Sequence, residues 1–383
     1  MIRRLLPLGA ALAVGIGALT PVAMASAAPT PLQLTLPAPT GREPIGTVSL
    51  HLVDPSRHDD WVPGQPVREL MVQLWYPAAD TENYPVAPWM SPGAEKHFLT
   101  QYGLSTDQIR LPVTHGHVGA PAQRRAWPVV LYSHGSHDDR SGGTAEVEDL
   151  VSHGYVVVTI DHTHYANEVE FPDGRVVPEV HDSDVPRQVA MRSTDTSFVL
   201  DQLRTIAGGG DPDAEHRPLP RGLGAALDLH DVGMFGHSFG GLTTAQAMHD
   251  DPRILAGVDF DGPFFGGTAA TEGVTGPFLV LGSRTHDWRE LLPLLHGWHR
   301  DLQVGGSAHQ SLSDWEFLIT QAQPVLKWTP EQLDQAIGTI DPAQALKIGR
   351  TYLRAFFDLH LRGRCTRLFD GPTPRFPEVQ FIN

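Results

Sequence analysis

The chain has 383 residues, with 28 Lys and Arg against 44 Asp and Glu, a formal charge of −16 and one cysteine, Cys365. A surface this acidic repels nucleic acid and anionic membranes rather than recruiting them. One cysteine excludes an internal disulfide, so the fold must rest on its apolar core, and Cys365 is read as a passive residue.

Taken in chain order, Arg3 and Arg4 precede an apolar run from Leu5 to about Ala23 and then the small-residue pattern Ala25, Ser26, Ala27. This predicts an export signal over 1–27, a mature chain from near Ala28 and a secreted protein. Pro7, Gly9, Gly15, Gly17 and Pro21 interrupt the run, and no later stretch holds about 18 uninterrupted apolar residues, so stable membrane insertion is not expected. Loss of Arg3 and Arg4 takes the charge from −16 to −18. The flanking residues do not distinguish the general from the twin-arginine export route. Residues 28–45, with Pro29, Pro31, Pro37, Pro39 and Pro44, read as an extended linker, and 46–383 as one large domain.

Two strand-like runs, Thr47–Val53 and Glu69–Tyr76, lead into a long irregular stretch from Pro77 to about Arg125, of the kind that forms lids or binding loops. From Trp127 the pattern alternates short apolar runs with helical ones, which predicts a mostly parallel sheet flanked by helices. The expected elements are a strand in WPVVLYSHG (127–135), a helix over 145–152, a strand over 155–160 and a hairpin over 168–177 turned by Pro172, Asp173 and Gly174. A long helix follows near 187–206, then strands over 232–235, 255–260 and 278–282. Ligands bind at the C-terminal ends of such strands.

GHSFGG (236–241) contains Gly-X-Ser-X-Gly, a string weak by itself. It follows the apolar run DVGMF and opens a helix, which is the strand-turn-helix setting of a nucleophile elbow. The bland alternative is a glycine-rich turn whose serine only caps a helix. Read as an elbow, it predicts the α/β-hydrolase fold with Ser238 as nucleophile. A serine hydroxyl needs a base, and the base an orienting acid, in the chain order Ser, acid, His. GGSAHQS places His309 in a small-residue loop after the apolar run 302–304. His286, His296 and His299 compete, the last two on an expected helix. The acid is Asp261 or Asp287, which spacing does not separate, while Asp259 alternates with Asp261 and should point the other way. The oxyanion hole should take one amide from Phe239 and one from Ser136 in SHGS (133–136). His134, His137, Asp138, Asp139 and the DHTH run at 161–164 raise a metal reading, but no helical HExxH pattern supports it.

The chain resembles the plasma-type, intracellular type II and bacterial platelet-activating-factor acetylhydrolases over about 68–318. The carriers are LMVQLWYP (70–77), PVVLYSHG (128–135), SHGYVVVTIDH (152–162), GHSFGG, GVDFDG (257–262) and GSAHQSLSDWEF (306–317). The resemblance implies Ser238 as nucleophile, Asp261 as acid, His309 as base, amides of Ser136 and Phe239 as oxyanion donors, and catalysis without calcium or cofactor. It departs at Asp261-Gly262-Pro263 and across 77–125, both substrate-facing. The surroundings of the acids agree with it, because Asp261 follows an apolar strand while Asp287 lies among Arg284, His286, Trp288 and Arg289. The expected partner is a small-molecule or lipid ester, and Phe239, Phe264 and Phe265 suggest a preference for short acyl groups. A lipase or polyester hydrolase is the alternative enzyme, and an inactive hydrolase fold used for binding is the alternative from another class.

Overall fold

The computed structural model describes residues 30–382 except 60, 62, 63, 65, 66, 286 and 289–291. The expected export signal and His286 lie outside the described residues. In chain order the principal elements begin with β1 (Ile45–Asp54), β2 (Arg68–Pro77), β3 (Val86–Pro88), α1 (Pro92–Gln101), β4 (Val113–Val118), β5 (Trp127–Ser133) and α2 (Thr144–Ser152). Next come β6 (Val156–Asp161), α3 (Val185–Ala207), β7 (Leu227–His237), α4 (Phe239–Asp250), β8 (Ile254–Phe260), β9 (Phe278–Gly282) and β10 (His299–Val304). The chain closes with α5 (Trp315–Leu326), α6 (Pro330–Ile337), α7 (Pro342–His360) and β11 (Val379–Phe381). A hairpin of Glu168–Glu170 and Val176–Pro178 turns at Gly174, whose φ of 83° suits glycine.

The sheet order is β11-β10-β9-β8-β7-β5-β6-β2-β1-β4-β3. The run from β10 to β6 is parallel, and β2 and β11 add antiparallel neighbours on either side. Strands covered on both faces read as continuous apolar runs, and every residue of β5 and β9 is buried. One apolar layer packs Leu203 of α3 and Leu242 of α4 against the sheet. The other packs Val151 of α2 and Phe356 of α7 against its opposite face.

Three expectations change. The stretch 77–125 is not wholly irregular, because β3, α1 and β4 lie within it and β4 pairs with β1 from Ile45↔Gly116 to Thr47↔Val118. Their apolar residues are too few and too interrupted by proline to show a period. His299 opens β10 rather than sitting on a helix, since Leu302 and Val304 are drawn into the sheet, and His296 lies in the irregular segment before it. The proline-rich stretch after residue 30 is extended, yet Leu34 and Leu36 are buried in a third cluster with Phe98, Leu99 and Phe317. Each such leucine contributes about 1.5–3 kcal/mol of apolar burial, enough to hold the segment on the surface.

Candidate active site

The tight turn after β7 is made by small residues. A Cβ on Gly236 would lie 2.2 Å from the Gly240 carbonyl carbon, and one on Gly240 would lie 1.9 Å from the Ser133 oxygen. Between them Ser238 adopts φ 55°, a left-handed conformation costly for a residue with a Cβ, and projects from the end of β7 at the start of α4. Gly240→Ala should therefore cost about 3 kcal/mol or more of stability, since the Ser133 strand cannot retreat. A urea unfolding midpoint equal to wild type would contradict this.

Asp261 follows β8, also with a positive φ of 53°. Its turn is clamped from several sides. The Asp261 amide donates to Leu281 O at 3.1 Å, the Gly262 amide to Asp259 Oδ1 at 2.8 Å, and Trp288 Nε1 to Gly262 O at 2.9 Å. Asp259 thus faces away from the site, under α4 beside Gly241, as the alternation along β8 requires, and burial pushes its carboxyl well above the usual range. His309 stands beyond β10 in a short turn, His309–Leu312. The Ala308 amide donates to Ser311 Oγ, which in turn donates to Ile337 O.

These three segments meet. His309 Nδ1 lies 2.7 Å from Asp261 Oδ2, and His309 Nε2 lies 2.9 Å from Ser238 Oγ. A carboxylate only accepts, so Nδ1 carries the proton and Nε2 presents its lone pair to the serine hydroxyl. The other Asp261 oxygen accepts the Ser283 amide at 2.5 Å, which fixes the carboxylate plane. The Asp261 side chain is 7 % exposed against 44 % for His309, so the acid is shielded while the imidazole can be reached. Asp287 is exposed, and the Nδ1 position it would need is engaged by Asp261.

Sequence reasoning missed His237. Its Nε2–H donates to His309 O at 2.8 Å, its ring lies 4.8 Å from that of His309, and burial pulls its pKa down to about 4, so it stays neutral. The signal was available, because His237 is part of the GHS string.

Ser136, Ser238, His237 and His309 open into a cavity of about 410 Å³. Its walls come from segments far apart in sequence, among them Leu34, Phe98, Tyr102, Trp315, Ile319 and Trp328. Trp315 lies in GSAHQSLSDWEF (306–317), and Phe98 and Tyr102 lie in the stretch 77–125 expected to form a lid or binding loop. Phe239, Phe264 and Phe265 are not in this wall. Phe239 is buried beneath Arg192, Phe264 packs on Trp288, and Phe265 is exposed. The short-acyl expectation therefore loses these three residues and rests on the resemblance. A larger cleft of about 550 Å³ lies beside Thr47–Leu50 and Arg217–Arg221 and contains none of Ser238, Asp261 or His309.

Most of the residues that raised a metal reading have other partners, Asp138 excepted, whose carboxylate oxygens are buried without a hydrogen-bond partner among the described residues. His137 pairs with Glu179, Asp161 with Arg140, His162 with Ser133 and Asp195, and His164 with Asp59. His134 donates from Nδ1 to Gly135 O at 2.7 Å. Among the described residues no group of three or more His, Cys, Asp or Glu side chains could hold a metal ion.

The same region is rich in buried acids. Burial pushes Asp138 up to about 8, and Asp161 and Glu146 each up to about 7. An acid whose folded pKa exceeds its unfolded value near 4 favours the folded state below about pH 4, and that contribution is lost as pH rises through the folded value. These groups should therefore make the unfolding midpoint fall between about pH 4 and pH 8. Glu146, whose Oε2 is buried with no hydrogen-bond partner among the described residues, lies outside the cavity. Glu146→Gln should raise the midpoint at pH 9 while changing it little at pH 4, and equal shifts at both would count against burial as the cause.

Comparison with known proteins places the chain in a family. The family model described as "Platelet-activating factor acetylhydrolase, isoform II" matches residues 31–364. The chain belongs to this family. The Arthroderma benhamiae protein named "Probable 1-alkyl-2-acetylglycerophosphocholine esterase" is 29 % identical over 400 residues, spanning 94 % of this chain and 97 % of that protein. The Cavia porcellus platelet-activating factor acetylhydrolase is 27 % identical over 230 residues, spanning 53 % of this chain and 52 % of that one. Among solved structures, a ferulic acid esterase from Streptomyces cinnamoneus superposes with a TM-score of 0.79 and 35 % identity, covering 91 % of this chain and 99 % of that one. The chain is thus an α/β-hydrolase-fold member of an ester-hydrolase family. No described helix is long and apolar enough to cross a membrane.

Proposed function

We propose that this protein is a secreted serine carboxylic-ester hydrolase working through an acyl-enzyme. The hydrogen-bonded chain from Ser238 Oγ through His309 to Asp261 carries the reading. Ser238 Oγ attacks the ester carbonyl carbon as His309 Nε2 takes its proton, and the carbonyl oxygen becomes an oxyanion held by the amides of Ser136 and Phe239. Phe239 is the first residue of α4, so its amide has no acceptor within the helix. As the tetrahedral species collapses, the bond to the alcohol breaks and His309 returns the proton to that oxygen. Water then releases the acid by the same steps. Asp261 stays ionised throughout, orienting the imidazole. Secretion rests on the reading of residues 1–27.

The cavity suits an ester with one bulky apolar group. In the leading reading this is the alcohol side, and the acyl group is short, as in the lipid ester named for the Arthroderma relative. The second reading reverses the two and places an aromatic acyl group against Phe98, Tyr102, Trp315 and Trp328, in keeping with the similarity to the ferulic acid esterase. Rates on nitrophenyl acetate, butyrate and palmitate, on a 1-alkyl-2-acetyl glycerophospholipid and on methyl ferulate distinguish them. Acetyl esters fastest supports the first and methyl ferulate fastest the second. Palmitate fastest favours a lipase or polyester hydrolase. No turnover, with no fluorophosphonate labelling of Ser238, sinks the enzyme reading and leaves a binding protein.

A further inference from the structure

A buried arginine normally sits against a carboxylate, because a charge withdrawn from water must be compensated. Arg68 does so, forming Nε–Oδ1 and Nη2–Oδ2 contacts of 3.1 and 2.7 Å with Asp195, which also engages His162. Arg192 on α3 is as buried, at 1 % exposure, but makes no salt bridge among the described residues. Its Nη1 donates to His134 O at 2.7 Å, its Nη2 to Tyr165 O at 3.0 Å, and its guanidinium carbon lies 4.7 Å from the centre of the Phe239 ring. Its Nε is buried with no hydrogen-bond partner among the described residues.

Two of these contacts fall on the two segments to which the oxyanion donors belong. His134 begins the turn that continues through Gly135 to Ser136, and Phe239 directly follows Ser238. Resting on the serine-esterase reading, we infer that Arg192 is a positioning residue for the oxyanion hole, one guanidinium fixing both peptide segments that form it. In a trans peptide the C=O and N–H point in opposite directions, so tying down a carbonyl aims the amide on its far side. Arg192 ties the His134 carbonyl, whose peptide carries the Gly135 N–H, and the His134 ring ties the next carbonyl, Gly135 O, at 2.7 Å, whose peptide carries the Ser136 N–H, so Arg192 acts on the Ser136 donor through the His134 residue it holds. On the second segment the Ser238 carbonyl accepts the Gly241 amide at 2.9 Å, and the Phe239 ring lies against the guanidinium face. A buried positive charge behind both donors also favours the negative charge that develops there. Burial lowers the Arg192 pKa to about 10, so it remains charged at neutral pH.

The test uses Arg192→Met, Arg192→Lys and Phe239→Leu in the full chain. The readouts are kcat and KM on nitrophenyl acetate, the inhibition constant of a boronic acid that mimics the tetrahedral oxyanion, and the thermal midpoint. Arg192→Met should lower kcat about 100-fold with KM changed by less than about threefold. The boronic acid should weaken in the same proportion as kcat/KM falls. Arg192→Lys, which keeps the charge but not the planar fork, should fall between, and Phe239→Leu should lose about three- to tenfold. A purely structural role would lower the midpoint without that proportionality. Folded variants with wild-type kcat, or a loss of kcat with unchanged boronic-acid affinity, would overturn the inference. If neither Arg192 variant folds, Phe239→Leu decides by the same proportionality. Fluorophosphonate labelling of wild-type Ser238 runs alongside. Absent labelling overturns the serine-esterase reading itself, whereas normal labelling with unaffected variants overturns only the role of Arg192.

Discussion

Ser238→Ala is expected to lower kcat about a million-fold, the loss found when a triad nucleophile is removed, while leaving the chain folded. The Oγ is hydrogen-bonded to His309 Nε2 at 2.9 Å, and alanine keeps the Cβ that the φ of 55° already accommodates. The clash-sensitive positions are the glycines on either side, not the serine. Thermal unfolding should therefore be nearly unchanged while nitrophenyl acetate turnover vanishes. Residual activity above about a thousandth of wild type would disqualify Ser238 as nucleophile.

Asp261→Asn should lower kcat about ten-thousand-fold, for a reason this site makes specific. The Ser283 amide donates to Asp261 Oδ1 at 2.5 Å. An asparagine must keep its carbonyl oxygen there, because turning its NH₂ toward Ser283 would oppose two donors. The NH₂ is then forced onto His309 Nδ1, which must accept, so the ring proton moves to Nε2. That nitrogen can no longer take the proton of Ser238. Raising the pH would not restore the lost rate, since the fault is the tautomer rather than the protonation state. Asp287→Asn should leave kcat within about twofold, because the residue is exposed and Asp261 occupies its proposed place. Reversed results for the two variants would transfer the acid role to Asp287 and leave Ser238 and His309 untouched.

What was legible in the sequence was local or periodic. Buried parallel strands announce themselves as apolar runs, so β5, β7, β8 and β9 and the helices α2 to α4 were readable within a few residues. The GHSFGG turn was readable because its glycines answer steric demands within a few residues and against the neighbouring strand, as the 2.2 and 1.9 Å approaches at Gly236 and Gly240 make plain. The residues now found in contact, Ser238, Asp261 and His309, were named in advance because each follows a strand, and parallel strands bring their C-terminal ends to one edge.

Tertiary structure alone decided the rest. Spacing did not separate Asp261 from Asp287; the resemblance and the neighbouring residues favoured Asp261, but only the folded turns show its carboxylate 2.7 Å from Nδ1. The stretch 77–125 was legible as a binding region, but the individual wall residues were not, since Leu34, Phe98, Trp315 and Trp328 come together only when the segment after residue 30, α1 and α5 pack on one another. Phe239, Phe264 and Phe265 misled because nearness in sequence to Ser238 and Asp261 says nothing about side-chain direction. Arg192 lies 46 positions before Ser238, on a helix whose sequence carries no motif, and touches both oxyanion segments only because α3 crosses behind their turns. A sequence states which groups are available, whereas contacts between distant segments follow from how the layers pack, and packing leaves no period to read.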